Sequence, residues 1–192
     1  MRNIIGGLVG ALVGSSMIVI LLALLPTEYP SPFGLFWMVF SGSDSLLASA
    51  TGLLSSTTWI LYVMVWIAIG LVTAPFAESE WNAVRTALWV GVFLSVFAIS
   101  SALVLDPSLW TQDRDARNIY LVLQFASGIA YSLLSLVSSI PLARLLQKAR
   151  RKSDVPPPIK IETICECGAI FKSAPLMCAE CGRILRNEPE AV

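Results

Sequence analysis

The chain has 192 residues, 56% of them hydrophobic and 14% charged, with a mean hydropathy of +0.74. A water-solvated domain of this length cannot be so apolar, so most of the chain is expected to lie in a bilayer. The formal charge of zero excludes no class of partner, because charges are sparse before residue 144 and dense after it, but the complete absence of histidine excludes imidazole base chemistry, haem ligation through histidine and any zinc site with a histidine ligand.

A helix crossing about 30 Å of hydrocarbon needs about 20 apolar residues, and four segments meet that requirement. The first covers about residues 4–25 and is closed by Pro26. It is longer than a signal-peptide core and no small-x-small cleavage site follows it, so it reads as a retained anchor. Next comes "FGLFWMVF", residues 33–40, too short to cross and too apolar for water. An interfacial or re-entrant segment is the first reading and a pore-lining element the second. The following "LLASATGLLSS" either belongs to that segment or lengthens the next helix. The second span covers about 57–74, with serine and threonine before it and Pro75 after it. The third covers about 86–105 and stops at Asp106 and Pro107. The fourth covers about 119–143, enters from the acidic cap region "QDRDAR" and carries a kink signal at Pro141.

An even number of spans puts both termini on one side. That side holds Arg2, Arg85, Arg144, Lys148, Arg150, Arg151 and Lys152 near the membrane, against Arg114 and Arg117 opposite. Cytoplasmic loops retain basic residues, so a multi-pass protein of the cell membrane with both ends in the cytoplasm is expected. Trp59, Trp110 and Tyr120 then mark outer ends and Trp81 an inner end. The spans themselves contain no charge, Arg85 lying within a turn of an end, and this disfavours ion-coupled transport. Gln124 and scattered hydroxyls are left as interhelical hydrogen-bond donors or the lining of a polar path.

Small residues are spaced for close helix packing. Gly6, Gly10 and Gly14 recur every fourth residue on the first span. Ala87, Gly91 and Ser95 do so on the third, and Gly128, Ser132, Ser135 and Ser139 share nearly one face of the fourth. Packing within the four-helix domain, residues 1–152, is the first expectation. Docking of a different membrane subunit on the glycine groove of the first helix is the second, and a ligand path the third; the partners expected are a membrane or cytosolic protein, with a homo-oligomer as the alternative.

After Pro141, "ARLLQKARRKSDVPPP" supplies Arg144, Lys148, Arg150, Arg151 and Lys152 to anionic lipid headgroups. Aromatic residues are not interleaved with them, which argues against direct nucleic-acid contact. Helix is expected to persist through Lys152, and three consecutive prolines within the linker 153–161 make a stiff spacer.

The last segment, 162–187, contains all four cysteines of the chain, in "CECGAIFKSAPLMCAECG", with 188–192 as a disordered tail. Cys165 and Cys167 make one pair, Cys178 and Cys181 the other, and each pair ends in glycine, which lets backbone amides turn toward the sulfurs. In a reducing cytosol such a set favours a metal over disulfides, with structural Zn²⁺ first and iron second. The segment resembles a zinc ribbon, the rubredoxin-like family of two cysteine knuckles on short β-hairpins. "CAECG" matches the family's C-x-x-C-G knuckle, whereas "CECG" is one residue short. The resemblance implies a β-hairpin ribbon and nothing about the spans, although small membrane proteins carrying such a module look similar to ones from prokaryotes, archaea especially. Ile164, Ile170, Phe171, Leu176, Ile184 and Leu185 are expected to be its small core. Phe171, Lys172, Arg183 and Arg186 are its expected contact residues.

The fold class that follows is an all-α membrane protein of four transmembrane helices with a small β-hairpin zinc ribbon. A closed four-cysteine site leaves no open coordination position, so no enzymatic activity is expected. The expected function is a membrane accessory subunit or adaptor that displays the ribbon to a protein or ribonucleoprotein. A small channel or facilitator with the ribbon as regulatory module is the alternative.

Overall fold

The computed structural model describes residues 1–25, 33–151, 163–172 and 175–185, with the side chains of Arg150 and Arg151 outside the description. The linker 153–161, the tail 188–192, Lys152 and Arg186 also lie outside the described residues. The chain divides into two compact units, Met1–Arg151 and Lys152–Val192.

The larger unit is helical: α1 (Arg2–Leu21), α2 (Phe36–Leu47), α3 (Ser49–Leu54), α4 (Trp59–Thr73), α5 (Glu80–Leu105), α6 (Ser108–Thr111), α7 (Arg114–Ser132) and α8 (Leu136–Arg151). A 3₁₀ turn (Ala74–Phe76) extends α4, and another (Leu133–Ser135) joins α7 to α8 in one continuous helical run. Four of these runs are long and apolar enough to cross a bilayer.

Each boundary has a local cause. α1 stops at Leu21 rather than 25 because Ala23 turns left-handed at φ 54°. Its amide reaches Ile20 O at 3.1 Å and that of Leu24 reaches Val19 O at 3.0 Å, which closes the last carbonyls before Pro26 is met. α5 begins six residues before the expected 86, since the Ser79 side chain accepts the Asn82 amide and Glu80 occupies the first turn. α7 begins at Arg114 because Asp113 caps it through the Asp115 amide. The irregularity expected at Pro141 falls earlier. Ser132, Ser135 and Ser138 sit three residues apart and each donates its hydroxyl to the carbonyl three positions back, at 2.8, 2.7 and 3.3 Å. Such back-bonds tighten the helix toward three residues per turn.

The four long runs alternate in direction. Arg2 pairs with Glu78 and Arg144 with Glu80, so the start of α1, the end of α4, the start of α5 and the middle of α8 share one end. The residues 33–54 are neither part of α4 nor flat on the bundle. α2 runs back along α1 until Leu46 meets Gly14, and α3 returns along α4, with Ser49 bonded to the Trp66 indole at 3.0 Å and Gly52 against the Tyr62 ring. From Trp59 to Trp66 is seven residues, so this helical hairpin penetrates about 10 Å at about 1.5 Å per residue.

Packing rests on small residues. A Cβ on Gly6 would lie 2.7 Å from Phe76, one on Gly10 2.5 Å from Thr73, and one on Gly14 2.5 Å from Ile69. The glycine groove of α1 is thus filled by the chain's own α4 and α5, and the expectation that it is open to a foreign subunit is corrected. Gly91 and Gly128 interdigitate with Ser132 and Ser95 across α5 and α7. Between these contacts lies an apolar core of Ile18, Val19, Leu46, Val65, Trp66, Ile69, Val90 and Leu94. The outer surface is apolar too, with Ile60, Met64, Leu71, Val96, Val122 and Leu123 exposed, while Ser15, Ser43, Ser95, Ser132 and Ser135 are buried. Large aliphatics outside and hydroxyls inside invert the pattern of a water-soluble bundle.

Candidate metal centre

The smaller unit is built from two hairpins. β1 (Thr163–Ile164) pairs antiparallel with β2 (Ile170–Phe171), and Met177 bridges Ile184 in the second hairpin. Both turns are closed by the same device: the Cys165 amide donates to Ala169 O at 2.9 Å, and the Cys178 amide to Arg183 O at 2.8 Å. Inside them the two knuckles differ by the missing residue. Gly182 N–H reaches back four residues to Cys178 O, whereas Gly168 N–H reaches back three to Cys165 O, each at 2.9 Å. The shortened "CECG" therefore replaces a wider turn with a β-turn and keeps the same exit, because Gly168 (φ 91°) and Gly182 (φ 74°) both take the left-handed backbone.

The result is one cluster. The sulfurs of Cys165, Cys167, Cys178 and Cys181 all lie within 4.8 Å of one another. Two approaches cross between knuckles, 3.5 Å for Cys165 with Cys181 and 3.6 Å for Cys167 with Cys178. A tetrahedral ion with metal–sulfur bonds of about 2.3 Å sets its sulfurs about 3.8 Å apart, so these separations fit a single bound metal. Cys165 and Cys178 are buried, Cys167 and Cys181 exposed.

Backbone amides face the sulfurs, as the paired glycines suggested. At Cys178 the amide of Cys181, helped by that of Glu180 and by the thiols of Cys181 and Cys167, outweighs burial and brings the pKa down to about 7. At Cys167 the amide of Ala169 also pulls downward, but hydrogen bonds with the thiols of Cys165, Cys181 and Cys178, together with burial, push the pKa up to about 12. The opposite directions reflect thiols that share hydrogen bonds where four sulfurs crowd and negative charge would accumulate. A divalent cation relieves that crowding. All four donors come from the protein, so the set suits a structural ion, with no position left for a substrate.

The small core expected around this site does not form. Ile164 is 67% exposed, Ile170 67% and Ile184 65%, with Leu176 also exposed, and only Phe171 and Leu185 are half-buried. Two-residue strands have too little area to cover one another, and the inward positions are taken by cysteines. Of the expected contact residues, Lys172 and Arg183 are exposed; Arg183 is ion-paired with Glu166, which ties one knuckle to the other.

Among the expected headgroup ligands, Arg144 makes a two-pronged contact with Glu80, at 2.6 and 2.9 Å, and Lys148 is exposed. Sequence reasoning missed Gly42 and Gly70, which are as tightly held as the glycines it chose: their Cβ atoms would lie 2.0 Å from Ser15 O and 2.0 Å from Ser138 Oγ. The only signal was, for Gly70, a small residue inside an apolar run without a repeat to mark it, and Gly42 lies in the polar stretch 41–45 with no such signal. Compared with known proteins, the chain matches no family model, no curated protein and no solved structure.

Proposed function

We propose that the chain is an integral membrane accessory subunit or adaptor, whose four spans station a zinc-stabilised ribbon at the cytoplasmic face for docking a protein or ribonucleoprotein. The observation that carries this reading is the closed four-sulfur set, all of whose donors belong to the protein, in a unit too small to bury its own aliphatic side chains. Such a site suits folding and display better than catalysis, and Zn²⁺ is preferred to iron because the chain offers no second redox group nearby in sequence. The inverted polarity of the helical unit supports insertion, and the basic residues Arg2, Arg85, Arg144 and Lys148 toward one end support a cytoplasmic placement of both termini.

The α2–α3 hairpin favours a second reading, a small channel or facilitator, since helical hairpins that enter a bilayer partway are used to line pores. Against it, buried hydroxyls are engaged in packing, Ser15 with Ser43 at 2.8 Å, Ser95 with Gly91 O and Phe125 O at 2.8 and 3.1 Å, and Ser135 with Ser132 O at 2.7 Å, with Ser139 Oγ the one buried hydroxyl among the described residues left without a partner. The test is purification of the full chain in mild detergent beside its Cys181→Ser variant. A stoichiometric protein partner that is lost from the variant is expected. A lone homo-oligomer that conducts solute in liposomes, with or without Cys181, would refute the adaptor.

A further inference from the structure

The α2–α3 hairpin carries an acid on its outward face to the depth of the spans. On α2 the residues Val39, Gly42, Ser43, Leu46 and Leu47 are buried. The opposite face, at helical spacing, is Trp37, Ser41, Asp44 and Ala48, of which Asp44 and Ala48 are exposed. Asp44 lies two residues before Leu46, which packs on Gly14, seven residues short of the end of α1. Its level is therefore about 10 Å below that helix end. Among the described residues its carboxylate has no hydrogen bond and no ion pair, its electrostatic neighbour being Tyr62.

A carboxylate at that depth cannot face hydrocarbon cheaply, and such groups pair with a cation or a polar cavity. Among the described residues the chain supplies no cation there. Arg114 and Arg117 lie at the mouth of α7, with Arg117 over the Trp110 ring, and Arg2, Arg85, Arg144 and Lys148 lie toward the other end. A second copy in the same orientation brings its cations to those same levels, so it cannot neutralise Asp44 either. Ser41 and Ala48 beside the acid are small enough for another helix to approach closely.

We propose that the outward face of α2, centred on Asp44, docks a transmembrane helix of a different protein that carries a lysine or arginine in the half of the bilayer entered by the hairpin. The proposal rests on the membrane reading of the helical unit and names the contact by which the adaptor would join its membrane assembly. It is tested with the full chain in lipid vesicles and synthetic poly-leucine transmembrane helices bearing a dansyl acceptor. The helices carry one lysine, one leucine or one glutamate a third of the way along. Energy transfer from the chain's six tryptophans reports association. The lysine helix is expected to bind roughly tenfold more tightly than the leucine helix, and the glutamate helix no better than leucine. Asp44→Asn, which keeps the size of the side chain, is expected to abolish the preference. Equal binding of lysine and leucine helices by the wild-type chain, or a preference that survives Asp44→Asn, overturns the proposal alone. A chain that does not enter the vesicles overturns the membrane reading and the proposal with it.

Discussion

Replacing Gly42 with alanine tests the placement of the α2–α3 hairpin. The new Cβ would stand 2.0 Å from Ser15 O, 2.5 Å from Ser15 C and 2.7 Å from Ser15 Cα, all backbone atoms that cannot rotate away. Ordinary contact is about 3.5 Å, so α2 must retreat by about 1.5 Å. That displacement stretches the buried Ser15–Ser43 hydroxyl pair, now 2.8 Å. Overpacking costs about 1–3 kcal/mol and an interhelical hydrogen bond in lipid about 0.6 kcal/mol; the better helix propensity of alanine offsets at most about 1 kcal/mol. The net loss is about 2 kcal/mol, or roughly thirtyfold in the opening equilibrium of the hairpin. Hydrogen–deuterium exchange of α2 and α3 amides, in detergent-solubilised full chain, is expected to accelerate by that factor while α1 and α5 change little. Ser41→Ala, one residue away on the outward face, is the control and should leave exchange unaltered. Unchanged protection of residues 36–54 in Gly42→Ala would show that α2 does not lie on α1 as described.

Gly70→Ala is expected to loosen α4 from α8, because its Cβ would meet Ser138 Oγ at 2.0 Å and Ser135 O at 2.2 Å; a loss of about 1–3 kcal/mol in reversible detergent unfolding is expected, and stability equal to wild type would contradict the contact. Cys181→Ser should leave the 163–185 unit sensitive to protease while the helical circular-dichroism signal persists, and a resistant tail would show that the unit folds without four sulfurs. Asp106 is held below the usual carboxylate range by the Ser108 hydroxyl at 2.6 Å and the Ser108 amide at 2.9 Å. A lowered folded-state pKa contributes stability above the unfolded value that disappears as pH falls through the folded one, so the α6 turn should loosen only in acid. Ser108→Ala should move the Asp106 titration upward toward its ordinary range, as read by carboxyl-carbon NMR, and an unmoved titration would refute the capping contact.

The long helices were legible because crossing length and hydrophobicity are additive along the chain, and the cysteine cluster because its ligands announce themselves by type. Helix ends were less so. Counting apolar residues located the third span at 86 and passed over Ser79, whose cap starts α5 six residues earlier. It also ran α1 on to 25, since an alanine such as Ala23 gives no sign that it will take a left-handed turn. The hairpin is ambiguous in the sequence for a physical reason: α2 and α3 are each too short for a periodicity to declare a buried face, and their depth depends on contacts with Ser15, Tyr62 and Trp66, remote in sequence. Asp44 went unremarked because it lies outside every span that length could identify. At the cysteine unit hydrophobicity misled, for Ile164, Ile170 and Ile184 looked like a core and instead face outward. Their exposure makes metal coordination more necessary to the fold than a buried cluster would have done.

The most direct measurement is metal content against thiol state in the full chain, purified in mild detergent from host-cell membranes without added metal or reductant. One ion per chain is expected, released in step with titration of all four cysteines by a mercurial reagent, with zinc rather than iron in the emission spectrum. Material with paired disulfides and no bound metal, in which residues 163–185 are nonetheless folded, would contradict the proposal that thiolate coordination holds the displayed module together.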